Sequence, residues 1–153
     1  MLICGAGSLG RIVAKALSKA GIPYLLFETR YQPFLQAKAM GLPVIFGDAS
    51  RLATLEAAGV ERARGVVVTF HQHRPALRIL SALRQRIPQL VLIASARTEA
   101  AAEEIATIDN VSVLHEYVAA GLALAEQCLR EVGLPRDRHE ALFSQLRREV
   151  ETD

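Results

Sequence analysis

Six residues near the start constrain this chain most. Gly5-Ala6-Gly7-Ser8-Leu9-Gly10 follows the short apolar run Leu2-Ile3-Cys4 and opens a segment of helical period. A strand that passes into a helix through GxGxxG uses each glycine differently. Gly5 permits the tight turn, Gly7 lets the backbone approach a pyrophosphate with no side chain in the way, and Gly10 lets the helix pack closely on the strand. The N–H groups of the first helical turn, with the positive end of the helix dipole, then hold an anion.

The rest of the chain repeats that strand-to-helix step. Tyr24-Leu25-Leu26-Phe27, Val44-Ile45-Phe46, Val66-Val67-Val68, Val91-Leu92-Ile93-Ala94 and the weaker Val111-Ser112-Val113-Leu114 are further apolar runs. They are continuous rather than alternating, as in strands buried on both faces of a parallel sheet. Between them, residues 9–20, 31–40, 51–58, 75–87, 99–107 and 117–132 are predicted helices. Such alternation with short loops implies right-handed crossovers and a Rossmann-like doubly wound α/β fold: a parallel sheet of about six strands. After Gly133-Leu134-Pro135 a charged tail places Leu142, Phe143, Leu146 and Val150 on one helical face. It is either a terminal helix docked on its own domain or an arm that packs on a second subunit. The expected organisation is a nucleotide-binding domain over residues 1–118 and a C-terminal helical extension over 119–153.

The strand ends supply the remaining candidates, because ligands of open α/β sheets bind beyond the carboxyl ends of the strands. Glu28 ends the second strand and begins the segment Glu28-Thr29-Arg30. A carboxylate there can accept both hydrogen bonds of a ribose diol; the plainer reading is a solvated carboxylate. It also repels a 2′-phosphate, which favours NAD or an adenine nucleotide over NADP, whereas Arg30 two residues on could hold that phosphate. Asp48 and Ala49 follow the third strand, where Asp48 either caps the next helix or lines an adenine pocket. Thr69 ends the fourth strand. Arg97 ends the fifth, placed for a phosphate or carboxylate, or paired on the surface with Glu99 or Glu103.

Composition excludes several classes. Eighteen basic residues against sixteen acidic leave a net charge of +2, without the clustered basic surface of a nucleic-acid binder. A 51% hydrophobic chain is not disordered. Cys4 and Cys128 are far apart, which rules out a disulfide scaffold or a zinc ribbon. No apolar run approaches the roughly 20 residues needed to span a bilayer, and no signal peptide is expected. His71 and His73 lie two apart in the segment Phe70-His71-Gln72-His73-Arg74, read as a rim loop rather than a metal site.

At this point the pattern resembles a family. Gly47-Asp48-Ala49-Ser50, Leu55, Ala58-Gly59-Val60, Ala63 and Val66-Val67-Val68-Thr69 are similar to the signature of the TrkA-N, or RCK N-terminal, domain that regulates potassium channels and transporters. With Gly5, Gly7 and Gly10 the likeness covers roughly residues 1–118. Ala94-Ser95-Ala96-Arg97 and Gly121 to Pro135 resemble Kef-type, glutathione-gated potassium efflux systems. The resemblance implies that NAD(H), AMP, ADP or ATP binds in the crevice, that the chain forms a homodimer, and that ligand gates a membrane transporter. Gly5, Ala6, Gly7, Ser8, Leu9 and Gly10 would then hold phosphate and Glu28 the ribose, with Thr29 and Arg30 beside it. Asp48 and Ala49 would line the adenine site, Thr69 the crevice mouth, and Arg97 would meet glutathione at the dimer interface. The chain departs from the family at Ser8, where some members carry Arg, and at Arg30, where Asp or Asn is usual.

The implied product is a regulatory module on the cytoplasmic side of an inner-membrane transporter, part of an antiporter or a separate subunit. The alternative is a small NAD-dependent oxidoreductase. Against it, Tyr117 is followed four residues later by Gly121 rather than Lys, and the four histidines have no obvious carboxylate orienter in sequence.

Overall fold

The computed structural model describes residues 1–152, and all side chains among them but those of residues 136, 137, 139, 151 and 152. Elements follow in the order β1 (Leu2–Cys4), α1 (Ser8–Lys19), β2 (Leu25–Glu28), α2 (Tyr31–Ala39), β3 (Val44–Phe46) and α3 (Leu52–Ala57). After a single 3-10 turn at Val60–Arg62 come β4 (Gly65–Val68), α4 (His73–Arg86), β5 (Val91–Ala96), α5 (Glu99–Ala106) and β6 (Val111–His115). Two helices close the chain, α6 (Glu116–Glu131) and α7 (Arg136–Thr152). Residues 1–114 form one compact unit and the residues from 115 on form another.

The six strands make one sheet in the order β3-β2-β1-β4-β5-β6. β1 pairs in parallel with β2 on one side and β4 on the other, with Cys4 level with both Phe27 and Val68. The order reverses at β1, so the crevice of this fold opens where β1 and β4 end. Alternate residues of each strand face opposite layers. Ile3 and Leu26 are buried with Ala14 of α1 and Ala37 of α2. Leu2, Cys4, Val66, Val68, Leu92 and Ala94 are buried with Leu55 of α3, Leu80 and Leu83 of α4 and Ile105 of α5. Aliphatic side chains fill both layers, with Phe27 the one aromatic among the largest fully buried groups.

The start of α4 departs from its sequence reading. α4 begins at His73, not residue 75, so two of the five residues of the expected rim loop are helix. Pro75 falls in the first turn, where a missing N–H costs nothing because no intrahelical partner exists for it. His73 Nε2 there meets the Glu104 carboxylate of α5 within hydrogen-bonding distance.

Candidate functional site: the glycine loop and Glu28

The site is built where β1 leaves the sheet. Gly5 has φ +113°, a backbone conformation that side chains rarely adopt, and its N–H donates to the Phe27 carbonyl oxygen at 2.9 Å. The chain then doubles back into α1 so tightly that a Cβ on Gly10 would stand 1.9 Å from the Gly5 carbonyl oxygen. Thr69 supports the turn from the neighbouring strand. Its hydroxyl, buried with the residue, lies 3.1 Å from both the Cys4 and Gly5 carbonyl oxygens and donates to them.

Gly7 is a different case. It is the N-cap of α1, and a Cβ there would meet only the Arg30 Nη2 atom, at 3.6 Å. Packing inside the chain therefore does not require glycine at this position. A glycine N-cap also has no side chain to accept the first N–H groups of the helix, which have no intrahelical partner. None of α1, α2, α3 and α4 has an acidic residue in its first turn. Their own first turns therefore supply no counter-charge to their positive ends.

Glu28 is the carboxylate that faces this corner. The residue is 5% exposed, so it is not the solvated strand-end acid that was one of the two readings. Its Oε2 accepts from the Ala6 N–H at 3.0 Å, which ties β2 to the glycine loop across 22 residues. Its Oε1 accepts from the Thr29 and Arg30 N–H groups at 3.0 and 2.9 Å. The Arg30 guanidinium adds longer contacts, Nε to Oε1 at 3.3 Å and Nη2 to Oε2 at 3.5 Å. Burial pushes the Glu28 pKa up, but the hydrogen bonds from Arg30 and from Ala6 outweigh it and hold the carboxyl below its ordinary value.

Asp48 sits one strand further out and is satisfied locally. Its Oδ1 accepts from the Ser50 N–H and hydroxyl at 3.0 and 2.7 Å, and Oδ2 pairs with Arg51 at 3.2 Å. The Ser50 hydroxyl, ahead of the other contacts, lowers its pKa. It does not cap α3, whose N-cap is Arg51; the intervening turn already uses the carboxylate. Ala49 is buried in the core, Ser8 is exposed at the start of α1, and Leu9 is half-buried. Thr29 is exposed, and Arg97 stands exposed directly after β5, two strands from β1 in the sheet. The structure thus gathers residues 5–10, Glu28–Arg30 and Thr69 into one corner. The Gly47 N–H, donating to the Glu28 carbonyl oxygen at 2.9 Å, joins the β3 end to it.

Sequence reasoning missed Arg11. Its Nη1 donates to the Ala6 carbonyl oxygen at 2.9 Å and to Gln36 Oε1 of α2 at 3.1 Å, bracing the glycine loop from behind. A cation in a first helical turn opposes the dipole, and that mismatch was the available signal. The chemistry of the corner is that of binding. Burial pushes the Cys4 thiol up to about 12, so it stays protonated, and the Thr69 hydroxyl is engaged by main-chain carbonyls. Among the described residues no group of three or more His, Cys, Asp and Glu is arranged to hold a metal.

The model of the TrkA-N domain matches residues 1–115, three-quarters of the chain. This chain belongs to the TrkA-N domain family. A relative of this TrkA-N chain is a protein of Alkalimonas amylolytica named as a K(+) efflux antiporter, KefB. It is 28% identical over 147 residues, or 96% of this chain and 22% of the relative, so the chain spans about a fifth of that protein. Among solved structures, the Kef CTD of Shewanella denitrificans in AMP-bound form superposes with a TM-score of 0.83 at 24% identity, covering 97% of this chain and 91% of that one. A GsuK channel bound to NAD superposes at 0.73 and 24% identity, covering 85% and 23%. At these identities the structures establish a shared TrkA-N fold. No helix among the described residues is long and apolar enough to cross a membrane.

Proposed function

We propose that this chain is the ligand-sensing regulatory domain of a potassium or cation/proton transport system and that it binds an adenine nucleotide or NAD(H) at the β1–β2 corner. One observation carries the reading: the Ala6 N–H to Glu28 Oε2 hydrogen bond sets a buried carboxylate beside the uncapped start of α1. The carboxylate accepts a ribose diol; the first N–H groups of α1 and its dipole take the adjoining phosphate. In this reading Gly5 to Gly10 form the phosphate cradle, with Ser8 and Leu9 contributing backbone N–H and Ala6 tying the loop to Glu28. Glu28, Thr29 and Arg30 form the ribose side, and Asp48 and Ala49 the adenine side. Thr69 holds the loop, and Arg97 faces a second ligand such as glutathione.

Regulation then follows from differential affinity. A nucleotide that binds two arrangements of a homodimer unequally shifts the population by that difference and nothing more. The helices of residues 119–153 are the segment we assign to the dimer contact, and the membrane part of the transporter is the partner moved. The working place of such a domain is the cytoplasmic side of the inner membrane. The kinship with a potassium efflux antiporter and a channel supports a regulatory role over an oxidoreductase.

Calorimetric titration with NADH, NAD, NADPH, AMP and ATP, with and without glutathione, tests the proposal. Saturable binding of an adenine nucleotide is expected in the native chain, and Gly7→Val should abolish it without lowering the melting temperature by more than a few degrees. Unchanged binding in Gly7→Val would sink the assignment of the phosphate to this loop.

A further inference from the structure

The Glu28 carboxylate has about four lone-pair sites to offer, and the chain already directs five donor contacts at it. Three come from backbone N–H groups at 2.9–3.0 Å, held by the glycine loop and by the β2–α2 turn. The two from the Arg30 guanidinium are the longest, at 3.3 and 3.5 Å. They belong to a side chain that is 68% exposed, while that of Glu28 is 4% exposed. A ribose diol donating two hydrogen bonds therefore competes with contacts already in place. The guanidinium contacts give way first, because they are long, exposed and carried by rotatable bonds. The backbone contacts give way only if the loops unfold.

The released guanidinium has a second partner close by. Nη2 stands 3.6 Å from where a Cβ of Gly7 would be, over the N-cap of α1. That is the side from which the uncapped N–H groups of the helix meet an anion. We propose that Arg30 is the specificity-determining residue of this crevice, an exchangeable latch that passes from the Glu28 carboxylate to the ligand's phosphate as the ribose diol takes its place. The inference rests on the nucleotide reading above and deepens it. A ligand with both a diol and a neighbouring phosphate exchanges one anionic partner of Arg30 for another. A nucleoside with the diol alone strips Arg30 from Glu28 and returns nothing. The crevice therefore selects phosphorylated nucleotides over nucleosides through Arg30 as well as through the helix end.

The test is calorimetric titration of the native chain and of Arg30→Ala with AMP and with adenosine, at two ionic strengths. In the native chain AMP binds more tightly than adenosine. In Arg30→Ala that preference shrinks about tenfold, the order expected for loss of one charge-assisted contact, because AMP weakens while adenosine is unchanged or improved. The salt dependence of AMP binding falls in parallel. The melting temperature stays within a few degrees, since the removed ion pair is exposed on one side and the Arg30 N–H to Glu28 remains. Equal weakening of AMP and adenosine, or an unchanged preference, would overturn the latch while leaving the nucleotide site intact. Binding of neither ligand by the native chain would overturn the latch, and failure of NADH to bind as well would overturn the site.

Discussion

Two carboxylates close neighbouring strands of this sheet, and they behave differently. Glu28 is buried and held from two loops, one of them 22 residues away. Asp48 is partly exposed and satisfied inside its own turn by Ser50 and Arg51. Both have lowered pKa values, Glu28 because Arg30 and Ala6 overcome its burial, Asp48 through the Ser50 hydroxyl first. A depressed pKa alone therefore does not distinguish a long-range tie from a local turn. Glu28 links the glycine loop to β2, whereas Asp48 shapes only its own corner.

Removing the floor of the Glu28 corner should have the largest effect. Gly10→Ala drives a Cβ into the Gly5 carbonyl oxygen at 1.9 Å, a backbone clash that no rotamer relieves. We expect a cost of about 3 kcal/mol or more, read as a collapsed thermal transition. Gly7→Ala, three residues earlier, should melt like the native chain. If the two variants melt alike, the steric difference between these glycines is wrong.

Glu28→Gln comes next. It replaces an acceptor-only group with one whose NH2 faces backbone donors, at a cost of about 1.5–3 kcal/mol, the range for hydrogen bonds to a charged group. Asp48→Ala should cost about 1 kcal/mol, since water can replace its contacts. Chemical denaturation of both variants measures the gap, and equal costs would erase the distinction between the two corners.

Acid provides a finer comparison. Because the folded Glu28 pKa lies below its unfolded value of about 4.3, the native state holds its proton less tightly. Its contribution is complete above that unfolded value and is lost as the pH falls through the depressed folded one. Stability measured between about pH 6 and pH 3 should fall less steeply in Glu28→Gln than in the native chain. An unchanged slope would mean that other carboxylates carry the acid sensitivity.

Much of this was legible beforehand, for physical reasons that differ by element. The order of strands and helices could be read because doubly buried strands are continuously apolar and each helix carries its own periodicity. α4 starts two residues ahead of its sequence reading because His71-Gln72-His73-Arg74 carries no apolar residue of helical period to mark the helix before Pro75. Arg11 escaped notice because its partners, Ala6 and Gln36, come together only when α1 and α2 share a face of the sheet.

The sequence by itself determined the parallel sheet, the glycine loop at its first turn and an acid at the end of β2, since each is written in contiguous residues with a local conformational preference. The tertiary structure alone decided what those parts do to one another. It assigned the Thr69 hydroxyl to the Cys4 and Gly5 carbonyls, 65 and 64 residues away. It gave Gly10 a steric reason and left Gly7 without one, and it set Arg30 between Glu28 and the start of α1. Those contacts depend on the register of β1 between β2 and β4. No local propensity encodes that register, because it arises only when residues far apart in the chain bury their side chains together.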